Sequence, residues 1–211
     1  AVLLTALFAA IWVAAAGGTF SILALLACAA SFLSFYMAGS CLAGFRPLAE
    51  GVLFDLPLRL LLGYAAVNTA LFLMAWLSPL GIVANFAILF ALTTVLFMAA
   101  RPVRRPDRES AVGLLALGLA LVATSLWCQD LYHPVTVEQN TVVFKPWVDG
   151  FYHSVYIRIF GAGHGASTIE DFRMAGVPAR LYHYAPYLTP ALVKEAAGIQ
   201  SYTAFAGVQA P

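Results

Sequence analysis

Three stretches, residues 1–45, 60–100 and 110–129, contain no Asp, Glu, Lys or Arg and together occupy half of the 211-residue chain. A water-soluble domain carries roughly 25% charged residues on its outer faces. Here charged residues make up 10% and apolar ones 62%, which excludes an ordinary soluble domain and predicts a chain embedded in a bilayer. Nothing in this composition points to a nucleic-acid partner; the expected partner is lipid.

The first two blocks are 45 and 41 residues long. A helix crosses the hydrocarbon core with roughly 20 residues, so each block predicts a helical hairpin. The breaks fall at Gly17-Gly18 and at Ser78-Pro79, where proline removes a backbone donor and disfavours helix in the residue before it. Five spans follow, near 2–16, 20–43, 59–78, 80–100 and 110–127. The expected fold class is an all-α polytopic membrane protein: a transmembrane scaffold over 1–127, then an extracytoplasmic segment over 128–211 with a juxtamembrane amphipathic helix, leading into a further span. The first span is short and the sequence opens at Ala1, which reads as a start inside a longer protein. A cleaved signal peptide is the rival reading, disfavoured because no basic region precedes the apolar one.

Every charge before Asp130 falls in one of two clusters: Arg46, Glu50, Asp55 and Arg59, then Arg101, Arg104, Arg105, Asp107, Arg108 and Glu109. Basic residues in short loops face the cytoplasm. That rule makes 46–59 and 101–109 cytoplasmic and predicts a multi-pass inner-membrane protein whose fifth span exits at Trp127 on the opposite face. Cys28 and Cys41 are separated by about 20 Å of helix, too far to bridge, and Cys128 stands apart, so no disulfide is expected. The interiors of the five spans hold no ionisable Asp, Glu, Lys, Arg or His; their Ser, Thr, Asn68 and Asn85 suit helix–helix contacts. Chemistry is therefore expected in the tail, which holds eleven of the 21 charges, seven of the nine Tyr and all four His.

Within the tail, residues 134–144 are rich in β-branched residues and predict an extended or hairpin segment. Asp149 as N-cap and Gly161 as stop then predict a helix near 150–160, aromatic nearly all round and suited to the membrane interface. Asp149 and His153 lie four residues apart and share a face. Such a pair can act as a general base with its orienting partner, as two ligands of a divalent metal, or as a cap with a structural hydrogen bond. The glycine-rich stretch 161–168 matches no nucleotide-binding spacing. Tyr182, Tyr184 and Tyr187 cluster around His183, which suits an interface belt or a sugar-stacking wall, and Thr189-Pro190 predicts the start of a helix stopped by Gly198.

The spaced set Trp147, Asp149, Phe151, His153, Gly176, Pro178, Tyr182, His183 and Tyr184, within residues 145–192, resembles bacterial polytopic proteins related to the GT-C glycosyltransferase superfamily. The resemblance implies a polyprenyl-phosphate-linked sugar donor and an active site at the extracytoplasmic membrane surface, with Asp149 as base or metal ligand. His153 would be its catalytic partner. Trp147, Arg158, Arg173, Arg180, Tyr182, His183 and Tyr184 would bind the substrate, the arginines because a guanidinium pairs well with phosphate. In that family the outer loop commonly follows the first span and carries paired acidic residues; here five spans precede it and Gly150 follows Asp149. Two further readings stand beside this one. The tail can be the docking surface of a non-enzymatic membrane assembly or polysaccharide-export component, or Asp149, His153 and His183 can serve a metal-dependent hydrolase.

Overall fold

The computed structural model describes residues 2–17, 20–44, 48, 52–100, 111–128, 135–138, 141–144, 148–161 and 185–209. The described chain is predominantly helical, and its first five helices follow the charge-free blocks: α1 (Val2–Gly17), α2 (Ile22–Leu42), α3 (Val52–Leu77), α4 (Ile82–Ala100) and α5 (Ala111–Trp127). Three stretches, Ile22–Leu42, Asp55–Leu77 and Ile82–Ala100, are long and apolar enough to cross a membrane, whereas Val2–Ala16 and Leu115–Trp127 are shorter apolar helices. Leu3, Leu77, Met98 and Trp127 stand exposed on these helices, as expected of side chains whose solvent is lipid. This is a membrane protein.

The local chemistry of the helix ends explains their positions. Ser21 caps α2, its hydroxyl accepting from the Ala24 N–H at 3.2 Å, and Gly44 ends it at φ 59 with its N–H on the Cys41 carbonyl. After α3, the Ser78 hydroxyl accepts from the Leu80 N–H at 3.1 Å and turns the chain into α4. The third helix begins seven residues ahead of the expected 59, with Pro57 inside it. Asp55 and Arg59 explain the extension: one turn apart, they pair at 2.6 Å, and Asp55 also accepts from the Leu48 N–H at 2.6 Å.

The second and third helices run antiparallel in close contact. A Cβ on Gly39 would strike the Arg59 carbonyl, and one on Gly63 would strike the Phe35 carbonyl. Small residues at such crossings let backbones approach and gain dispersion contact that lipid tails cannot supply. The indole N–H of Trp12 on α1 reaches the Ser125 hydroxyl on α5, joining the two shorter apolar helices.

The tail opens with a two-stranded antiparallel hairpin, β1 (Val135–Glu138) paired with β2 (Thr141–Phe144) in the register Val135 to Phe144. Helix α6 (Val148–Gly161) follows; a 3-10 turn (Ala185–Tyr187) leads into α7 (Leu188–Ala197), then α8 (Ser201–Ala204) and a π-helical turn (Phe205–Gln209). Gly198 terminates α7 in the left-handed region at φ 66. Thr189 does not cap α7: the preceding Tyr187 takes the N-cap position without a capping bond from its side chain, and the Thr189 hydroxyl instead donates to Asn68 Oδ1 of α3 at 2.9 Å, both residues buried.

That bond places the tail inside the bundle. Asn68 lies nine residues before the end of α3 at Leu77, about 14 Å along the helix at 1.5 Å per residue. One core joins Phe35, Leu71 and Phe86 of α2, α3 and α4 to Tyr156, Tyr187 and Leu192 of the tail. A second joins Trp12 and Val13 of α1 and Cys28 of α2 to Val193 of α7. No disulfide joins Cys28, Cys41 or Cys128 among the described residues.

Candidate functional site

Helix α6 carries three of the residues that the sequence singles out, Asp149, His153 and Arg158. Asp149 is its second residue, so the carboxylate-bearing position sits inside the first turn rather than at the N-cap, still at the end where the helix dipole favours negative charge. His153 follows one turn later. Its Nδ1 lies 2.8 Å from the Tyr187 hydroxyl, and its ring stacks on Phe205 at 5.1 Å and 21°. Tyr187 is wholly buried and stacks in turn on Tyr156 at 5.3 Å and 20°. Tyr152 meets Tyr156 edge-on at 4.9 Å, with the two hydroxyls 3.2 Å apart. The imidazole is thereby held on a rigid aromatic assembly drawn from α6, the 3-10 turn and the π turn.

Two glycines set how close these elements come. Gly150, beside Asp149, faces the Tyr202 ring, where an added Cβ would lie 3.2 Å from Cε2. Gly161 closes the far end of α6 against the Glu195 side chain of α7, which pairs with Lys194. Phe160 meets Phe72 of α3 at 6.4 Å, so the assembly is braced on the Leu77 half of that helix. The Tyr202 hydroxyl is buried without a hydrogen-bond partner among the described residues, and burial pushes its phenol above the usual tyrosine range.

Asp149 and His153 share the first turns of α6, and Arg158 is exposed in its last turn. Trp147, Arg173, Arg180, Tyr182, His183 and Tyr184 lie outside the described residues. Among the described residues no group of three His, Cys, Asp or Glu side chains converges on a point that could hold a metal. Phe205 and Tyr202 were not singled out by the sequence, and Tyr187, read there as part of the cluster around His183, meets His153 instead. Tyr187 and Phe205 sit 34 and 52 residues beyond His153 and reach it through tertiary packing alone, although Tyr187 is visible as the last aromatic before an uncharged helix start. The chain matches no family model, no curated protein and no solved structure.

Proposed function

We propose that this chain is a membrane glycosyltransferase that takes its sugar from a polyprenyl-phosphate donor at the extracytoplasmic membrane surface. The observation that carries the reading is the α6 turn: an acidic residue one turn ahead of a histidine whose ring is pinned by a buried tyrosine. Catalytic side chains work from fixed geometry, and His153 is fixed by three separate elements. In the reaction, an acceptor hydroxyl attacks the anomeric carbon and its proton passes to Asp149. The bond from that carbon to the phosphate oxygen breaks, and the polyprenyl phosphate departs with the electron pair. Arg158, with Arg173 and Arg180, supplies positive charge to the phosphate. If a divalent ion takes part, Asp149 and His153 are its first ligands. The bilayer arrangement that accompanies this reading has five spans, with α1 and α5 crossing beside the three longer helices, 46–59 and 101–109 in the cytoplasm, and 128–211 entering from the outer face.

Asp149→Asn tests the reading. It should lower transfer from a lipid-phosphate donor by about 10²–10⁴-fold, the usual worth of a positioned base, with expression and membrane insertion unchanged. A variant with undiminished transfer would remove Asp149 from the chemistry. The second reading, a non-enzymatic assembly or export component with a structural Asp-His pair, draws on the same ring: His153 is engaged by Tyr187 and Phe205 as a packed histidine would be. Purified protein that binds no lipid phosphate and transfers no sugar would favour it.

A further inference from the structure

The segment from Ala185 to Gln209 meets the bundle at three levels, each of which can be placed along a helix. Helix α2 has 21 residues, about 32 Å at 1.5 Å per residue, against a hydrocarbon core of about 30 Å. Its ends, and those of α3 and α4 packed beside it, therefore mark the two faces of the core. The helices α1 and α3 end on the face where α2 and α4 begin. Thr189 lies deepest, because the Asn68 to which it donates sits about 14 Å below that face. Val193 shares a core with Cys28, six residues into α2 and about 9 Å below the same face. Gly198 and Gln200, in the turn that ends α7, are exposed. Gly207 then packs on the backbone of Val13, four residues before the end of α1 and about 6 Å below the face.

We infer that residues 185–209 form a re-entrant segment, which reaches the middle of the core at Thr189 and returns through α7 to the face where α1 and α3 end, without adding a span. The ten residues of α7 measure about 15 Å, half the core. Gly198 breaks the helix in the left-handed region, so α7 and α8 do not add up to one crossing helix. A helix that starts inside the core leaves its first N–H groups there, which is tolerated only where protein surrounds them. Leu188, Thr189, Pro190 and Ala191 are all buried in the bundle, and Pro190 has no N–H to leave unpaired. The charges follow the same course. None occurs from Ala185 to Val193, and Lys194 and Glu195, paired with each other, come only as the helix nears the face, where a lysine stem can carry its charge towards the headgroups. The inference rests on the insertion of α2, α3 and α4 and is independent of any sugar chemistry. It sets Tyr187, and the imidazole that Tyr187 contacts, below the membrane face instead of on it.

Two measurements on the full chain test it, one of side and one of depth. In sealed membrane vesicles of opposite polarity, a membrane-impermeant maleimide is offered to Gln200→Cys, Leu80→Cys and Leu48→Cys, and the label gained over wild type is measured. Leu80 is exposed between α3 and α4, and Leu48 is exposed between α2 and α3. Gln200→Cys should label in the polarity that labels Leu80→Cys. Should Gln200→Cys not insert, Ser201→Cys takes its place. Depth is read in nanodiscs whose lipids carry a gadolinium chelate at the headgroup, from the relaxation of carbon-13 threonine methyl groups. Each methyl is assigned by its loss in the corresponding Thr→Ser variant, which keeps the hydroxyl. Thr93 lies eleven residues into α4, and Thr124 lies three residues before the end of α5. The Thr189 enhancement should be several-fold weaker than that of Thr124 and close to that of Thr93. Labelling of Gln200→Cys in the polarity that labels Leu48→Cys would mean that the segment crosses, and overturns the proposal, as does labelling in neither polarity. A Thr189 methyl that relaxes like Thr124 overturns it too, since that is the behaviour of a tail lying on the surface. Neither readout involves sugar transfer, so this inference and the glycosyltransferase reading tested by Asp149→Asn fail separately.

Discussion

Asn68 and Thr189 show how a single polar pair can hold a distant segment in place. Both are buried, and their 2.9 Å bond spans 121 residues of sequence. Hydrogen bonds between membrane helices average about 0.6 kcal/mol and reach about 1.7, whereas orphaning a buried amide costs about 1–3. Thr189→Val should therefore destabilise by about 1–2 kcal/mol in denaturant unfolding, and the double variant with Asn68→Leu should recover part of that loss. Tyr202 presents the opposite case. Its hydroxyl is buried without a bond, so Tyr202→Phe should leave stability at pH 7 unchanged or raise it by up to about 1 kcal/mol. Because burial raises the folded phenol, the unfolded chain loses this proton first, and stability falls as the pH rises from about 10 through the folded value. Thermal melts from pH 7 to 11 should show a shallower decline for Tyr202→Phe than for wild type. That Asp149 and His153 lie one turn apart on one helix was legible because helical spacing is local. The contacts of Tyr187 and Phe205 with His153 were not, because nothing in their own neighbourhoods points to it.

The helices were legible almost to the residue wherever a charge, a glycine pair or Ser78-Pro79 marked an end. The exception is the start of α3, where charged residues suggested a loop but Asp55 and Arg59 pair across one helical turn and carry the helix through them. Glycines serve two different purposes in these helices. Gly39 and Gly44 share the end of α2, yet only Gly39 makes a crossing while Gly44 ends the helix, and the partner crossing at Gly63 sits among leucines that give no local sign of it. Helix crossings depend on which faces meet, and an amino-acid pattern this uniformly apolar has no polar face from which to read that. Gly63→Leu should drive α2 and α3 apart, because the Phe35 backbone cannot move aside as a flexible side chain would. The expected outcome is loss of the monodisperse peak in size-exclusion chromatography, with Gly63→Ala intermediate between wild type and Gly63→Leu.

The uneven charge distribution separated a bare scaffold from a polar tail, and the structure joins the two in shared cores. The uncharged run from Ala185 to Val193 is the part of the tail that enters the bundle, burying Tyr187, Leu188, Ala191 and Leu192 against α2, α3 and α4. Removing residues 185–209 should lower the melting temperature of what remains by about 10 °C or more, since it strips several buried side chains from a fold of marginal stability. Differential scanning fluorimetry in detergent measures this. A bundle that melts unchanged would mean that the tail rests on the helices without supporting them. The last described turn carries a further consequence. Gly207 packs on Val13 so closely that a Cβ there would strike it, and about 200 residues must be synthesised between the two. At roughly 5–20 residues per second, α1 waits on the order of 10–40 s for its partner while the ribosome completes the tail. During that interval lipid, a neighbouring nascent helix or an insertase must cover the face of Val13, so assembly of this protein is timed by translation as well as by packing.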